Sequence, residues 1–387
     1  MRSISRLIIA SFLAAIVAAA QTTKPVWKGT FATENGVKVV KNPAEPLYGT
    51  FAFELQEDLK IGGDPNDAPS YFPKGGNLSV DSSGNFYVSD MGSIRVAMFD
   101  KLGKFVRTIG RAGQGPGEFT FPLQVLFDAE GNPHVRDVRS LLVFGKDGSF
   151  KRKLLLTSPL RQAILGAGGS IIGTTQPGLG PGGPKHTIIR LNPDGALPRT
   201  IGEFRGEFSE GQKSLVLHWY SNQIALAPLD SGSFIYGFSD QYKIFKGDAE
   251  GRMSLIVTRD EKPQPIKASE KDETRKNGAF MWMGGGANPR DAAIFPDHRA
   301  FFSAFLSDDA GRFYVTRAKS ILEKDAPTDV DVFSKDGIFL YKMTWASFPA
   351  AIKNGCLYEL REDKETDEYT IVRSRIKNWE QMKTGAE

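Results

Sequence analysis

The chain is poor in cysteine: among its 387 residues only Cys356 carries a thiol. A single cysteine excludes an internal disulfide, so the hydrophobic core has to stabilise the fold. Cys356 stands in an apolar, strand-like pattern with no histidine nearby. That setting indicates a packing residue, with a reactive thiol as the alternative.

Long hydrophobic runs are also missing, with one exception at the start. Arg2 and Arg6 precede an apolar stretch, 7–20, that ends in alanines. A span of about 14 apolar residues is shorter than the roughly 20 that cross a bilayer. The pattern is typical of a cleaved signal peptide, 1–20, with an N-terminal membrane anchor as the alternative. We therefore expect a mature chain, 21–387, that is secreted or periplasmic and has no transmembrane segment.

Blocks of one charge are absent as well. The 49 lysines and arginines are interspersed with 45 aspartates and glutamates, so nucleic acid is not an expected partner. The glycine-rich segments 110–119 and 178–184 lack the Lys-Ser/Thr of a phosphate-binding loop. No G-x-S-x-G elbow of a serine hydrolase occurs either.

Glycine and phenylalanine, by contrast, are abundant, at 41 and 27 residues. This bias is typical of short aromatic strands joined by many turns. Segment 78–110 shows the arrangement: the runs LSVD, NFYVSD, IRVAMFD and KFVRTIG alternate apolar and polar residues, and turns at Gly84, Gly92 and Gly103 separate them. The pattern predicts one four-stranded antiparallel sheet.

This four-strand unit recurs along the chain, and such a sheet has to stack on its neighbours to bury its two faces. Six copies are recognisable, at 78–110, 125–156, 163–204, 224–259, 304–345 and 350–379. The sequence therefore predicts an all-β fold, a single six-bladed β-propeller domain of four-stranded antiparallel blades spanning 21–387. A pair of open β-sandwiches is the alternative.

The sixth copy lacks its outermost strand, because the chain stops soon after Trp379. The N-terminal segment 51–63, FAFELQEDLKIGG, is similar to the fourth run of the first copy. We expect it to complete the sixth blade and close the ring, which removes the exposed sheet edges. Segment 26–48 is a candidate for a further hairpin strand.

One segment, at about 259–300, interrupts the repeat. Its first part predicts a short helix with Ser269 as N-cap and Gly278 as C-terminal stop. The second part, 279–302, is a loop rich in glycine, methionine and aromatic residues. Long irregular loops in compact domains are often functional.

Several segments together resemble the NHL-like six-bladed β-propellers of bacterial exported proteins. They are GNFYVSDMGSIRVAMFDKLGKFVRTIG with the following GRAGQGPGEFTFP, then RDEKPQPI, DDAGRFYVTR and IKNGCLYELRED. The resemblance covers nearly the whole mature chain. It implies the propeller fold, whereas propellers of this shape serve as scaffolds, ligand binders, lyases or lactonases.

Metal chemistry has two sets of candidate ligands. Zinc would need three converging imidazoles from the four histidines, which fall in different copies: His134, His186, His218 and His298. Calcium would use the recurrent aspartates Asp81, Asp128, Asp308 and Asp309, but D-x-x-G at a strand end is first a turn signature. We expect no cofactor, with a zinc or calcium ion in the central channel as the open alternative.

A set of aromatic, histidine and arginine side chains is suited to contact a ligand, because such residues stack on sugars and anchor peptides. They precede the fourth copy, lie in the insertion, or end a strand of the fifth copy: His218, Trp219, Tyr220, Trp282, Arg290, His298 and Arg317. The alternative is that the tryptophans only pack the insertion onto the propeller.

The sequence thus favours a binding or scaffold module for an unknown protein, peptide or glycan. A metal-dependent hydrolase or lyase, lactonase-like or amidating-lyase-like, with its site in the channel is the alternative. A structural module of a larger envelope complex is a weaker third reading.

Overall fold

Six sheets are arranged around one axis in chain order, and strands from the N-terminal segment complete or extend two of them. The computed structural model describes residues 24–64, 66–73, 76–180, 183–207, 214–230, 232–284, 288–363, 365 and 368–386. Over these ranges the predicted six-bladed β-propeller is confirmed. The predicted signal peptide, 1–20, lies outside the described residues.

The first half of the chain contains the first three blades. Three strands precede them: β1 (Thr30–Glu34), β2 (Val37–Asn42) and β3 (Leu55–Ile61). Blade 1 contains β4 (Gly76–Val80), β5 (Phe86–Asp90), β6 (Arg95–Phe99) and β7 (Phe105–Ile109), followed by the short β8 (Arg111–Ala112) and β9 (Glu118–Phe119). Blade 2 contains β10 (Gln124–Phe127), β11 (Pro133–Arg136), β12 (Ser140–Phe144) and β13 (Phe150–Leu155). Blade 3 contains β14 (Leu160–Leu165), β15 (Ile171–Thr175), β16 (Gly178–Gly180), β17 (Gly183–Leu191) and β18 (Arg199–Arg205).

The second half contains the other three blades and the helix. After β19 (Ser214–Leu217), blade 4 contains β20 (Ile224–Asp230), β21 (Ser233–Phe238), β22 (Lys243–Asp248) and β23 (Met253–Arg259). The insertion holds α1 (Ala268–Asn277) and β24 (Met281–Gly284). Blade 5 contains β25 (Phe302–Ser307), β26 (Arg312–Arg317), β27 (Thr328–Ser334) and β28 (Phe339–Trp345), and blade 6 contains β29 (Ala351–Lys353), β30 (Cys356–Glu362) and β31 (Tyr369–Ile376). Single 3₁₀ turns lie at Ala167–Gly169, Ile321–Glu323 and Trp379–Gln381.

The first strands of the blades line the axis and contact one another in cyclic order, β4, β10, β14, β20, β25, β29 and again β4. Strand β3 pairs antiparallel with β31 as the fourth strand of the sixth sheet, so that sheet combines both ends of the chain. Between blades 6 and 1, the buried rings of Phe86 and Tyr358 meet edge to face at 5.5 Å. Apolar faces packed between neighbouring blades form the core.

The N-terminal hairpin β1–β2 extends blade 4 outwards, since β2 runs parallel to β23. The buried side chain of Asn42 donates to the carbonyl oxygens of Thr258 (3.1 Å) and Gly337 (2.8 Å). It also accepts from the N–H of Phe339 at 2.8 Å. One amide therefore joins the outer strands of blades 4 and 5.

Tight turns link the strands where the sequence places glycine. Gly84 and Gly131 have φ values of +85° and +83°, a conformation that side chains with a Cβ rarely adopt. The preceding aspartates bond the turn amides: Asp81 Oδ1 accepts from Ser83 N at 2.8 Å, and Asp128 Oδ1 accepts from Asn132 N at 2.7 Å. Both carboxylates therefore stabilise tight turns, which is the role that the D-x-x-G pattern predicts.

The predicted helix in the insertion exists, but its start differs from the prediction. α1 begins at Ala268 with Lys267 as N-cap, so the assignment of Ser269 as the cap was wrong. The reason is the buried Glu270. Its Oε2 accepts from the N–H of Lys267 at 2.9 Å, which makes Lys267 the N-cap, two residues before Ser269. The helix ends before Gly278, whose N–H donates to Thr274 O at 2.8 Å.

Cys356 opens β30 and is half-buried against the cluster between blades 6 and 1. Burial raises the pKa of its thiol, which keeps it protonated. Among the described residues, no helix is both long and apolar enough to cross a membrane.

Candidate functional site

The two faces of the ring carry different connections. Because the four strands of each blade alternate in direction, the links between second and third strands and the links between blades lie on the same face. We call this the connection face; it includes the segments 91–94, 110–123, 206–223, 260–301 and 318–327. The opposite face, which we call the hairpin face, carries the links 81–85, 100–104, 192–198 and 248–252. The long insertion therefore lies on the connection face.

Glu270 in the first turn of α1 fixes the insertion to the propeller. Its side chain is fully buried and accepts from Tyr220 Oη at 2.7 Å, Ser320 Oγ at 2.6 Å and Arg299 Nη2 at 3.0 Å. Burial disfavours the charged carboxylate, but the hydrogen bonds outweigh burial and lower the pKa of Glu270 to about 2. The carboxylate thus joins three segments of the connection face.

A two-stranded ribbon lies beside this anchor. β19 and β24 pair antiparallel, with Val216 opposite Trp282 and Leu217 opposite Met281, and within the described residues no third strand joins them. The side-chain amide of Gln176, in the turn of blade 3, donates to the sulfurs of Met281 (3.6 Å) and Met283 (3.2 Å). The ribbon therefore contacts blade 3.

Three of the side chains predicted to contact a ligand are bonded within the connection face: His218, Tyr220 and Arg290. His218 is buried, and its Nε2 donates to the carbonyl oxygen of Ile294 at 2.9 Å. Tyr220 is the buried partner of Glu270 described above. Arg290 donates to the carbonyl oxygen of Lys276 at 2.9 Å and covers the C-terminal end of α1.

Arg317, at the end of β26, belongs to a buried ion network. Its Nη1 donates to Glu261 Oε2 at 3.0 Å and contacts Asp331 Oδ2 at 3.3 Å. Arg259 Nη1 lies 2.7 Å from both of these carboxylates, and Tyr242 Oη donates to Asp331 Oδ2 at 2.6 Å. Two guanidinium groups are thus neutralised by two carboxylates, and burial raises the pKa of Tyr242 far above its usual value.

His298 lines a cavity of about 370 Å³ next to this network. Asp240, Tyr242, Glu261 and Phe301 line the same cavity. The imidazole Nδ1 donates to the carbonyl oxygen of Arg299 at 2.9 Å. Burial, together with the charge of Glu207, raises the pKa of Asp240. The structure thus brings His298 and the network of Arg317 to one place between blades 4 and 5.

Trp219 and Trp282 are the two predicted site residues with large exposed side chains, at 45% and 43% exposure. Trp219 follows β19, and its Nε1 donates to the carbonyl oxygen of Lys319 at 2.9 Å. Trp282 lies on β24, opposite Val216. Two residues separate Val216 from Trp219, and an extended chain advances about 10 Å over these three steps, so the two tryptophans belong to one region.

Two neighbouring exposed apolar side chains were missed by the sequence analysis. Met281 precedes Trp282 on β24, and Leu322 lies in the 3₁₀ turn that follows Lys319. Each is about half exposed. The run of methionine and tryptophan at 281–283 was a signal for the first, whereas no pattern in the sequence marked the second.

The four histidines lie on separate strands and connections. His134 bonds Asp128 at 3.2 Å, and His218 and His298 bond backbone carbonyl groups. Among the residues that the structure describes, no three His, Cys, Asp or Glu side chains form a group able to hold a metal ion.

Comparisons with known proteins agree on the fold. A family model described as a 6-bladed beta-propeller matches residues 77–154, which span blades 1 and 2. No curated protein matches the chain. Among solved structures, a putative exported protein from Bacteroides fragilis has 11% sequence identity and a TM-score of 0.53, over 88% of this chain and 99% of that one.

Two enzymes are also among the similar structures. A gluconolactonase from Xanthomonas campestris has 13% identity and a TM-score of 0.42, over 86% of this chain and 99% of its own. A catalytically inactive virginiamycin B lyase from Staphylococcus aureus, solved with quinupristin, has 12% identity and a TM-score of 0.39, over 83% and 99%. At such identities the likeness concerns the fold alone.

Proposed function

We propose that this chain is an exported binding module whose connection face holds an extended segment of a partner polypeptide. The observation that carries the proposal is a pair of exposed tryptophans: Trp282 lies on a two-stranded ribbon with an open edge, and Trp219 lies just after the ribbon's other strand. Both residues belong to connection-face segments, 206–223 and 260–301, which supports a common binding surface.

The distribution of exposed aromatic side chains supports this face. Five phenylalanines and tryptophans of the described chain are about half exposed. Four of them lie in connection-face links, including the link 346–350 between blades 5 and 6: Phe121, Trp219, Trp282 and Phe348. Only Phe31, on the N-terminal hairpin, lies elsewhere. Aromatic side chains concentrated on one face are typical of a surface that a partner covers, and tryptophan is enriched among residues that dominate binding energy.

The free edge of β24 supports an extended ligand. In a two-stranded antiparallel ribbon, alternate peptide groups of each strand point away from the partner strand. Those of Met281–Gly284 can therefore pair with an added strand, a recognition mode in which backbone hydrogen bonds supply affinity and side-chain contacts supply specificity.

The neighbouring aliphatic side chains favour a polypeptide over a glycan. Sugars stack on flat aromatic rings, whereas Met281 and Leu322 extend the apolar surface with flexible and branched chains. Methionine adapts its shape to varied apolar partners. A segment with apolar side chains at alternate positions matches this surface.

Export is part of the proposal. The basic and apolar pattern of 1–20 predicts a secretion signal, and the chain is similar in fold to a protein of Bacteroides fragilis described as a putative exported protein. The partner segment would then belong to a protein of the cell envelope or its surroundings.

Selection of peptides on the purified mature chain tests the proposal. Random linear peptides would be displayed, and those retained would be titrated against Trp282→Ala, Trp219→Ala and the control Leu102→Ala. Leu102 is an exposed apolar residue of the hairpin face. We expect the Trp282→Ala variant to bind roughly tenfold or more weakly, as for an interface anchor, and the control to bind normally.

The alternative results would contradict the proposal. It is wrong if no peptide is retained, if the selected peptides bind both tryptophan variants as tightly as the unmodified chain, or if Leu102→Ala abolishes binding. Thermal unfolding of each variant checks that the exposed substitutions leave the fold intact.

A further inference from the structure

A second cavity, of about 220 Å³, lies between blades 3 and 4 near the axis. We infer that it binds a carboxylate group, held by Arg161 with help from His186 and one hydroxyl group of Thr174 or Thr175. All four residues line the cavity. The inference deepens the proposed function by naming one chemical group of the ligand. It rests on the proposed function only where it takes the carboxylate to be the C-terminus of the bound polypeptide.

Arg161 supplies a positive charge without a counter-ion. It lies at an irregular position of β14, where the pairing with β15 shifts between Leu160 and Gln162. Its Nη2 donates to Gln223 Oε1 at 2.9 Å, and in the described part of the chain no carboxylate pairs with it. Burial lowers the pKa of the guanidinium, which records the cost of holding this charge away from water. A bound anion would offset that cost.

His186 is the second polar group of the cavity. It is only 4% exposed, and its ring packs against Phe238 at 5.0 Å. Within the described residues its imidazole makes no hydrogen bond, unlike His134, His218 and His298. Burial, together with the charge of Arg161, lowers the pKa of His186 to about 4. The neutral ring therefore has an N–H available for a ligand oxygen.

The remaining wall fits a small anion with one charge. Thr174 and Thr175 are neighbours on β15, so their side chains point to opposite faces and only one hydroxyl group can donate to the ligand. Pro177 and Ile224 make the wall partly apolar. One guanidinium balances one negative charge, so a doubly charged phosphate would leave an unbalanced charge in a half-buried place. A guanidinium fork matches the two oxygens of a carboxylate.

The cavity adjoins the ribbon. Gln176 lies between the cavity-lining Thr175 and Pro177, and its amide contacts the sulfurs of Met281 and Met283 on β24. A polypeptide on the ribbon can therefore place its C-terminal carboxylate in the cavity. A free small carboxylic acid has the same chemistry and is the other source.

Titration of the mature chain with N-acetylglycine and with its neutral amide tests the inference. Binding is followed by calorimetry and by the imidazole NMR signals of His186, which the His186→Phe variant identifies. We expect the acid to bind, to shift these signals and to bind roughly tenfold more tightly than the amide, because only the acid makes charge-assisted hydrogen bonds.

Variants of Arg161 distinguish the loss of a binding charge from a loss of folding. Arg161→Gln should weaken the binding of N-acetylglycine roughly tenfold or more, and Arg161→Lys, which keeps the charge but not the fork, should weaken it less. The control Arg199→Gln removes an arginine from the hairpin-face end of the same blade and should change nothing. Thermal unfolding confirms that each variant is folded.

Equal binding of acid and amide, unchanged binding by Arg161→Gln, or no binding of the acid up to its solubility limit would overturn the inference. Tighter binding of phosphate than of any carboxylate would overturn it as well.

A tripeptide acid that binds more tightly than propionate identifies a peptide C-terminus as the source, and equal affinities identify free acids. Because N-acetylglycine is too small to need Trp282, the Trp282→Ala variant should still bind it, so the two proposals can fail separately.

Discussion

Tyr220 Oη donates a 2.7 Å hydrogen bond to Glu270 Oε1, and the same hydroxyl accepts from the N–H of Ile321 at 2.9 Å. Tyr220 precedes blade 4, Glu270 follows it, and Ile321 lies in the turn of blade 5. All these groups are buried. One side chain therefore connects three segments of the connection face that the sequence places far apart, and it holds the insertion in the position that presents the ribbon.

The substitution Glu270→Gln should loosen this anchor. It removes the charge that faces Arg299. Tyr220 and Ser320 both donate to Oε1, so the amide oxygen of glutamine has to replace Oε1, and its NH2 group then faces the N–H of Lys267, which loses its acceptor. We expect a loss of about 2 kcal/mol in the free energy of unfolding, measured by urea titration, and faster proteolysis within 260–301. The matched control is Asp272→Asn in the same helix, whose carboxylate is exposed and which should change the stability little.

The carboxylate of Glu270 also gives an acid dependence. Its folded pKa, about 2, lies below the ordinary value of 4.5. The unfolded chain therefore binds the proton first, so the stabilisation is present above about pH 4.5 and is lost as the pH falls toward 2. In Glu270→Gln this part of the acid sensitivity should be missing from the unfolding curves. An unchanged pH profile in the variant would contradict the assignment.

His186 predicts a second pH effect, at higher pH. Its pKa of about 4 in the folded chain lies below the ordinary 6.5, so the unfolded state takes up the proton first and stability falls as the pH drops from about 6.5 toward 4. We expect His186→Phe, which suits the neighbouring Phe238, to remove about 2 kcal/mol of the stability difference between about pH 7 and about pH 5. His134 and His218, whose pKa values are also lowered by burial, should contribute in the same direction to the difference that remains.

Two ion pairs with the same spacing but different exposure test how burial changes the contribution of an ion pair to stability. In blade 5, Arg312 Nε donates to Asp308 Oδ2 at 2.7 Å; in blade 4, Arg252 Nε donates to Asp248 Oδ2 at 2.8 Å. Both pairs are four residues apart around a turn, but the arginine side chains are 1% and 72% exposed. We expect Arg312→Met to cost about 3–5 kcal/mol, because it leaves Asp308 buried and unpaired.

The exposed counterpart, Arg252→Met, should cost less than about 0.5 kcal/mol. Chemical unfolding of the two variants under one set of conditions gives the comparison. Similar losses in both would show that the turn geometry, and not the burial of the charge, determines the contribution.

The hydrogen bonds of Asn42 are expected to hold the N-terminal hairpin against blades 4 and 5. The amide nitrogen of Asn42 donates to two backbone carbonyl groups, of Thr258 and Gly337. In Asn42→Asp a carboxylate would face both carbonyl oxygens without a donor, so we expect a loss of about 3 kcal/mol and increased proteolysis before residue 48. Asn42→Ala, which removes the bonds without adding a charge, should lose less. The reverse order would show that the contacts of β2 with β23 dominate.

The fold was predictable from the sequence because the repeat is local. Each blade brings its own alternating strands and turn glycines, such as Gly84 and Gly131, so the pattern is visible within about 35 residues. The helix of the insertion was predictable for the same reason. Its first residue was not, because Glu270 fixes the start through partners in other blades.

The assignment of side chains to ligand contact stays a prediction. Trp219 and Trp282 are exposed, whereas His218, Tyr220 and Arg290 bond within the protein. A residue type that suits a ligand also suits a buried hydrogen-bond network, and the sequence does not distinguish the two. Arg161 had no sequence signal, since a lone arginine on a strand is ordinary and only its lack of a counter-ion makes it notable.

The sequence by itself determined the number of blades, the turn chemistry and the absence of disulfides, because these depend on neighbours along the chain. The tertiary structure decided which charges are paired and which aromatic side chains remain exposed. The pairing of Arg317 with Glu261 and Asp331, and the isolation of Arg161 beside His186, arise between blades. Such contacts join residues distant in sequence, where burial and charge are set by packing and leave no periodic pattern.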